Sequence, residues 1–259
     1  MMNSYSFVSL FDLNFARVTL PEAVDMMHTA ASTGEKSLVV TPNVDQVVNL
    51  EKNPQVKKIF TNAKYVFVDG MPLVWFSRLL PPAYRLPERV NGTNLMLETC
   101  AMAAREGFSI ALVGGKEGAA AAACQRLQQE FPGIRIAGYY CPPFGFEKDE
   151  TENRKLVEMV RAWKPTFLFV GVGNPKQELW ITNNWNDLNF NVAMGIGSAI
   201  ELIAGMVRRA PVWMQKGGLE WFFRLMQEPG RLWKRYFVQD AKFIPIAWRE
   251  YSKIRKGRH

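Results

Sequence analysis

The chain has 259 residues, 48% of them hydrophobic, which is enough to bury a full core in one large α/β domain with an appendage and excludes a small stapled scaffold. Its three cysteines, Cys100, Cys124 and Cys141, form no CxxC pair and have no histidine close enough for a zinc site, so a reducing, intracellular compartment is expected. The net charge of +8 sits in the last fifth: from Gly205 onward 13 Lys or Arg face 4 Asp or Glu, whereas residues 1–204 carry 19 against 20.

The first twelve residues lack a basic stretch followed by a long apolar core, so no secretory leader is expected. Short apolar runs at 37–40, 65–68, 108–113, 134–139, 166–172 and 191–196 read as buried strands. Helix-length stretches lie between them at 21–32, 44–60, 71–80, 92–105, 117–131, 150–163 and 175–186. This alternation specifies a Rossmann-like, mostly parallel sheet with helices on both faces. After Ala210 the pattern changes to 211–226, then Pro229-Gly230, a basic aromatic helix from 231 to about 240, and a ragged polar end. The expected division is an α/β catalytic domain over 1–204 and a basic helical appendage over 205–259.

The appendage holds ten of the 32 aromatic residues, including Trp213, Trp221, Trp233 and Trp248. No run of 18 apolar residues occurs, so the expectation is peripheral contact with an anionic membrane surface, rings at headgroup level and Lys or Arg at phosphates. Nucleic acid competes for the same composition. The apolar stretch 71–80 also suits packing between subunits of a homo-oligomer.

In such sheets ligands bind beyond the carboxyl ends of the strands. Those ends carry Thr41-Pro42-Asn43, Asp69-Gly70, Gly114-Gly115-Lys116, Gly171-Val172-Gly173-Asn174-Pro175-Lys176-Gln177-Glu178 and Gly195-Ile196-Gly197-Ser198. The glycines after strands are either phosphate cradles beside a helix N-terminus or plain turns, and neither a dinucleotide fingerprint nor a Walker loop is present. Asp69 reads either as a general base taking a proton from an attacking hydroxyl or as a cap on the helix near Pro72. Thr41 and Asn43 could bond substrate or orient that base, and Asn43 could equally cap the next helix. His28 lies mid-helix and His259 is terminal, which leaves no Ser-His or Cys-His nucleophile. Without an Asp-x-Asp pair for a divalent ion, the charge of a leaving diphosphate falls to backbone amides and to basic residues such as Arg224, Arg231, Lys234 and Arg235.

The first four of these strand ends, with Glu88-Arg89-Val90, Arg209-Ala-Pro-x-Trp213, Gly218-Leu-Glu-Trp-Phe-Phe-Arg-Leu225, Glu228-Pro229 and Arg231-Leu232, resemble the WecG/TagA/CpsF glycosyltransferases in order and spacing. The resemblance spans roughly 41–237 and implies an inverting, metal-independent transfer from a UDP-sugar to a sugar on polyprenyl diphosphate for cell-surface polymers, with no cofactor. It implies Asp69 as base, Thr41, Asn43 and Gln177 around the donor sugar and diphosphate, and Arg89 facing the acceptor. Gly114, Gly115, Lys116, Gly171, Gly173 and Lys176 fall in the donor and diphosphate region. The appendage would close over the site, bring Arg224 and Arg231, and touch the inner face of the cytoplasmic membrane. One departure concerns the nucleoside: several relatives carry Asp where this chain has Ser198-Ala-Ile-Glu201, leaving Glu201 for a ribose hydroxyl.

Two other classes compete. A nucleotide-dependent oxidoreductase on a similar sheet would need a dinucleotide fingerprint and an acid some 20 residues further on, and the combination is absent. A non-enzymatic nucleic-acid or membrane binder would use the tail alone and leave the polar strand ends unexplained, so nucleic acid is not an expected partner.

Overall fold

The computed structural model of the protein describes residues 5–257, apart from the side chains at positions 212, 216 and 231. An antiparallel hairpin, β1 (Phe7–Leu10) and β2 (Leu13–Ala16), opens the fold. Its turn residues Phe11 and Asp12 have φ of 56° and 59°, the left-handed pair that a two-residue hairpin turn needs. After α1 (Leu20–Thr33) and β3 (Ser37–Val40), the stretch expected as one helix divides into α2 (Val44–Leu50) and α3 (Pro54–Asn62). Asn53 causes the division by accepting from the Val56 N–H at 3.2 Å, and Pro54 suits only a first turn.

The remaining α/β elements are β4 (Tyr65–Val66), α4 (Met71–Arg78), α5 (Gly92–Glu106), β5 (Ser109–Gly114), α6 (Ala119–Glu130), β6 (Arg135–Tyr140), α7 (Glu150–Trp163), β7 (Phe167–Gly171), α8 (Lys176–Asn183), β8 (Val192–Gly195) and α9 (Ala199–Ile203). Strands β3 to β8 make one parallel sheet in the order β4-β3-β8-β7-β5-β6. Side chains alternate between two cores: Leu38, Val40, Ala111, Val113, Leu168 and Val170 face one side, and Val39, Ile110, Leu112, Phe167 and Phe169 the other. Helices cover both faces, as expected for strands that, β6 apart, are almost wholly apolar. Because the sheet is parallel, every strand delivers its carboxyl end to one edge.

The appendage contains α10 (Val212–Lys216), α11 (Glu220–Gln227) and α12 (Pro229–Lys234), a π-helical turn over Arg235–Gln239, a short turn over Asp240–Lys242, and α13 (Phe243–Arg255). The end expected to be ragged is therefore a helix. Phe243, Ile246, Glu250 and Ile254 bury one of its faces, a spacing close to the helical repeat. The Phe11 ring lies 5.2 Å from that of Phe76 and 5.4 Å from that of Phe243, and the Phe11 N–H donates to Glu250 Oε1 at 3.1 Å. The last helix is thereby seated on the hairpin tip and contributes to the main core.

Candidate active site

Two cavities open on the ligand edge of the sheet. The larger, of about 730 Å³, lies over the ends of β5, β7 and β8 and is lined by Gly115, Lys116, Gly171, Gly173, Lys176 and Glu201, together with the loop 141–147 and Ser198. Gly114, with φ 119°, lies just outside this lining: a Cβ there would fall 2.4 Å from the Gly171 carbonyl oxygen, and one on Gly171 would fall 2.7 Å from that of Gly197. The Gly115 N–H donates to Gly171 O at 3.0 Å. Backbone thus stacks on backbone across three strand ends, and the glycines are needed for that approach whatever the cleft holds.

On the cleft walls, Lys176 pairs with Glu147 at 2.8 Å and stands 4.4 Å from the ring of Phe144, which is 100% exposed. Glu201 Oε2 is buried without a hydrogen-bond partner among the described residues. Gln177 does not reach the cleft surface. Its Nε2 donates to Glu178 Oε1 at 2.8 Å and its Oε1 accepts from the Gly197 N–H at 3.1 Å, so it ties the start of α8 to the turn after β8. Glu178, raised by burial above its ordinary value, is completed by Asn174 Nδ2 at 3.0 Å.

The second cavity, of about 410 Å³, lies over β3 and β4 and has Asp69 in its wall with Asn43, Arg89 and Arg224. Asp69 does not cap α4. Its Oδ1 accepts from Asn91 Nδ2 at 3.1 Å and its Oδ2 from the Gly92 N–H at 3.2 Å, so the carboxylate sits at the start of α5. Burial raises its pKa above the ordinary value, against the pull of the Arg89 guanidinium and the Gly92 N–H. Thr41 is beside it: a Cβ on Gly92 would come within 3.0 Å of Thr41 Oγ1 and 3.7 Å of Asp69 Oδ2, which is why the position between them carries no side chain. Asn43 does cap α2, accepting from the Gln46 N–H at 3.1 Å while its own N–H donates to Gln46 Oε1 at 2.9 Å.

Of the run Glu88-Arg89-Val90, only Arg89 lines the cavity. Glu88 accepts from the Leu20 N–H at 2.6 Å, and the Val90 N–H donates to Val68 O at 2.8 Å. Buried Glu220, the first residue of α11, holds Arg89 at 3.3 Å with one oxygen and Arg224 at 3.3 Å with the other. A third, smaller space of about 70 Å³ shares Ser198 with the first cavity and Glu220, Arg224, Arg235 and Tyr236 with the second. Arg208 and Arg209 line it too, so four arginines border the passage between the two cavities. The side chain of Arg231 lies outside the described residues.

The structure therefore gathers Asp69, Asn43, Arg89 and Arg224 at one cavity, with Thr41 beside Asp69 but outside the lining, and Gly115, Lys116, Gly171, Gly173, Lys176 and Glu201 at the other, with Gly114 and Gln177 beneath. Glu220, Arg208, Arg209, Phe144 and Asp240 carry no role in the sequence reading. Arg209 and Glu220 stood inside the stretches of resemblance, whereas Phe144 offered only its place in a Pro-Pro-Phe-Gly loop. Among the described residues no group of three or more His, Cys, Asp or Glu is placed to hold a metal ion.

A base-like carboxylate, an arginine-lined passage and a glycine-floored cleft on one parallel sheet suit the transfer of a group from a phosphate leaving group to a hydroxyl. The chain is similar to an N-acetylglucosaminyldiphosphoundecaprenol N-acetyl-beta-D-mannosaminyltransferase of Staphylococcus aureus strain MW2, with 29% identity over 253 residues covering 96% of this chain and 93% of that protein. It is equally similar to the protein of that name in strain MRSA252, at 29% identity and the same coverage. The model of the glycosyl transferase WecG/TagA/CpsF family matches residues 8–257, nearly the whole chain, and the chain is accordingly a glycosyltransferase belonging to that family.

Proposed function

We propose that this glycosyltransferase moves a hexose or N-acetylhexosamine, with inversion and without a metal ion, from a UDP-sugar to a sugar carried on polyprenyl diphosphate in cell-surface polysaccharide synthesis. The observation that carries the reading is Asp69: a half-buried carboxylate with a raised pKa, held by Asn91 and Gly92 and flanked by Arg89 and Arg224. A carboxylate in that setting takes the proton of an acceptor hydroxyl, whose oxygen attacks the anomeric carbon as the bond to the nucleoside diphosphate breaks. The relatives' names point to N-acetylglucosaminyl diphospholipid as acceptor and N-acetylmannosamine as transferred sugar.

The nucleoside end fits the 730 Å³ cleft, where the Phe144 ring offers a stacking face and the unpartnered Glu201 oxygen suits a ribose hydroxyl. Leaving diphosphate charge would be met in the passage by Arg208, Arg209 and Arg224. Membrane attachment is peripheral in this reading. Among the described residues no helix is long and apolar enough to cross a bilayer, while Trp213, Trp233, Ile244 and Trp248 of the basic appendage are 58 to 71% exposed. Incubation with a panel of UDP-sugars and short-chain lipid diphosphate sugars, with product mass measured, is the test. One hexose or N-acetylhexosamine added to a lipid diphosphate acceptor is expected, and the absence of product across the panel would refute the reading.

A further inference from the structure

The cavity containing Asp69 has a second polar wall that the proposed chemistry does not use. Arg235 and Asp240 lie at the two ends of the π-helical turn over Arg235–Gln239, and Asp45 reaches the same wall from the first turn of α2. Arg235 Nη2 pairs with Asp45 Oδ2 at 3.1 Å. Arg235 Nε and Asp240 Oδ1 are both shut from solvent without a hydrogen-bond partner among the described residues. An unpaired buried donor or acceptor costs about 1 to 3 kcal/mol. A π-turn also gives up regular helical hydrogen bonding, and such turns recur at functional sites. Two unmet polar atoms and an irregular turn on the wall of a substrate cavity point to a ligand group.

Charge and hydrogen-bonding sense define that group. Two carboxylates against one guanidinium leave this wall net negative, so it repels phosphate, for which Arg208, Arg209 and Arg224 are better suited. It lacks one partner for a donor, Arg235 Nε–H, and one for an acceptor, Asp240 Oδ1. A neutral group with a carbonyl oxygen beside an N–H answers both, and an acetamido substituent is such a group. We propose that Asp240 and Arg235, with Asp45 holding Arg235, form the subsite that recognises the acetamido group of the acceptor sugar, its N–H donating to Asp240 and its carbonyl accepting from Arg235. This rests on the reaction proposed above and adds the residues that select the acceptor.

The test uses the full chain, an active UDP-sugar donor, and two short-chain lipid diphosphates carrying N-acetylglucosamine or glucose. Wild-type kcat/KM should favour the acetamido acceptor by on the order of 10²-fold or more, because a site built to hydrogen-bond an N–H strongly rejects an analogue lacking it. Asp240→Leu, which has a similar branched shape and leaves no acceptor for the acetamido N–H, should fold normally because it removes a buried oxygen that has no partner, and should raise KM for the acetamido acceptor until the preference drops below about tenfold, with UDP affinity unchanged. Arg235→Lys, which keeps the charge and loses the Nε donor, should act in the same direction. Calorimetric titration of each acceptor without donor gives a readout independent of turnover, and wild type should bind the acetamido acceptor more tightly than the glucose one while Asp240→Leu should not. If neither acceptor is glycosylated by wild type, the proposed reaction fails and the titration alone decides the subsite. A wild-type protein that does not distinguish the acceptors, or an Asp240→Leu protein that keeps the full preference, overturns the inference.

Discussion

Glu220 Oε2 meets Arg89 Nη2 at 3.3 Å across the seam between the sheet and the appendage, while Oε1 of the same carboxylate meets Arg224 Nη2 at 3.3 Å one turn along α11. The buried carboxylate thereby holds two cavity-lining arginines side by side, and its charge contributes to the raised pKa of Asp69. Glu220→Gln is expected to lower kcat/KM for the acceptor by about tenfold or more, since breaking a buried hydrogen-bonded charge pair costs several kcal/mol in binding. If the effect runs through Arg89, the loss should be largely absent in an Arg89→Gln background, a coupling of about 1 to 3 kcal/mol. A double-variant cycle on kcat/KM measures it, and additive losses would show that the two residues act separately.

Asp69→Asn should reduce turnover by about 10² to 10⁴ and leave UDP affinity nearly unchanged, because the base acts on the acceptor hydroxyl. The base must be ionised, and burial raises its pKa, so the acidic limb of kcat should lie above the ordinary carboxylate value and activity should fall as pH drops through it. Glu220→Gln removes a neighbouring negative charge and should move this limb to lower pH. Retention of more than about a third of wild-type kcat by Asp69→Asn would remove Asp69 from the base role.

The sheet was legible because its strands, apart from the edge strand β6 with its exposed Arg135, are short and almost wholly apolar runs, and the positions of Asp69, Gly115, Lys116 and Lys176 followed from where those runs end. The hairpin was not. Its strands are four residues long and its turn is Phe11-Asp12, which lacks the usual Asn-Gly or Asp-Gly signal. Asp69 was expected to cap α4 if it capped anything, yet its partners are Asn91 and Gly92, more than 20 residues away, and no local pattern reports that pairing. Gln177 and Glu220 show the converse: both stand in recognisable motifs, and only packing reveals that one braces the floor of the larger cleft and the other clasps two arginines.

The strand-end glycines give a stability prediction free of any assumption about ligands. Gly114→Ala would put a Cβ 2.4 Å from Gly171 O at a φ of 119°, where an L side chain is strained and the neighbour is backbone that cannot swing aside. Combined strain and overpacking should cost roughly 2 to 5 kcal/mol. Thermal or denaturant unfolding measures it, and a variant within about 0.5 kcal/mol of wild type would mean that β5 and β7 can part at their ends.

Chelators are expected to leave turnover within about twofold, because the proposed charge stabilisation comes from the arginines of the passage. Loss of activity in EDTA with recovery on adding Mg²⁺ or Mn²⁺ would contradict it. In the same assay Arg209→Ala should lower kcat strongly. That residue borders the passage and also hydrogen-bonds Asn94 Oδ1 near the start of α5.

The appendage should separate membrane attachment from catalysis, and point variants are the clean way to see it. Removing everything after residue 204 would also strip Phe243, Ile246 and Ile254 from the core and the Glu250 carboxylate from the Phe11 N–H, so a truncated chain would confound folding with function. Trp213, Trp233 and Trp248 are 65, 58 and 70% exposed and can be replaced by Ser with little effect on packing. Exposed tryptophans add interfacial burial to the attraction of basic residues, each worth about 1 kcal/mol near an anionic surface. The triple Ser variant should lose on the order of tenfold in co-sedimentation with anionic vesicles and keep its turnover of a short-chain soluble acceptor. Arg224→Ala should do the opposite: it removes a cation from the cavity walls, so turnover should fall while most vesicle binding survives on the remaining basic and aromatic residues. Measured side by side, the two variants distinguish a combined anchor and lid from an anchor alone. If Arg224→Ala turns over the soluble acceptor as fast as wild type, the appendage takes no part in the chemistry through that arginine, and its basic charge serves the membrane only.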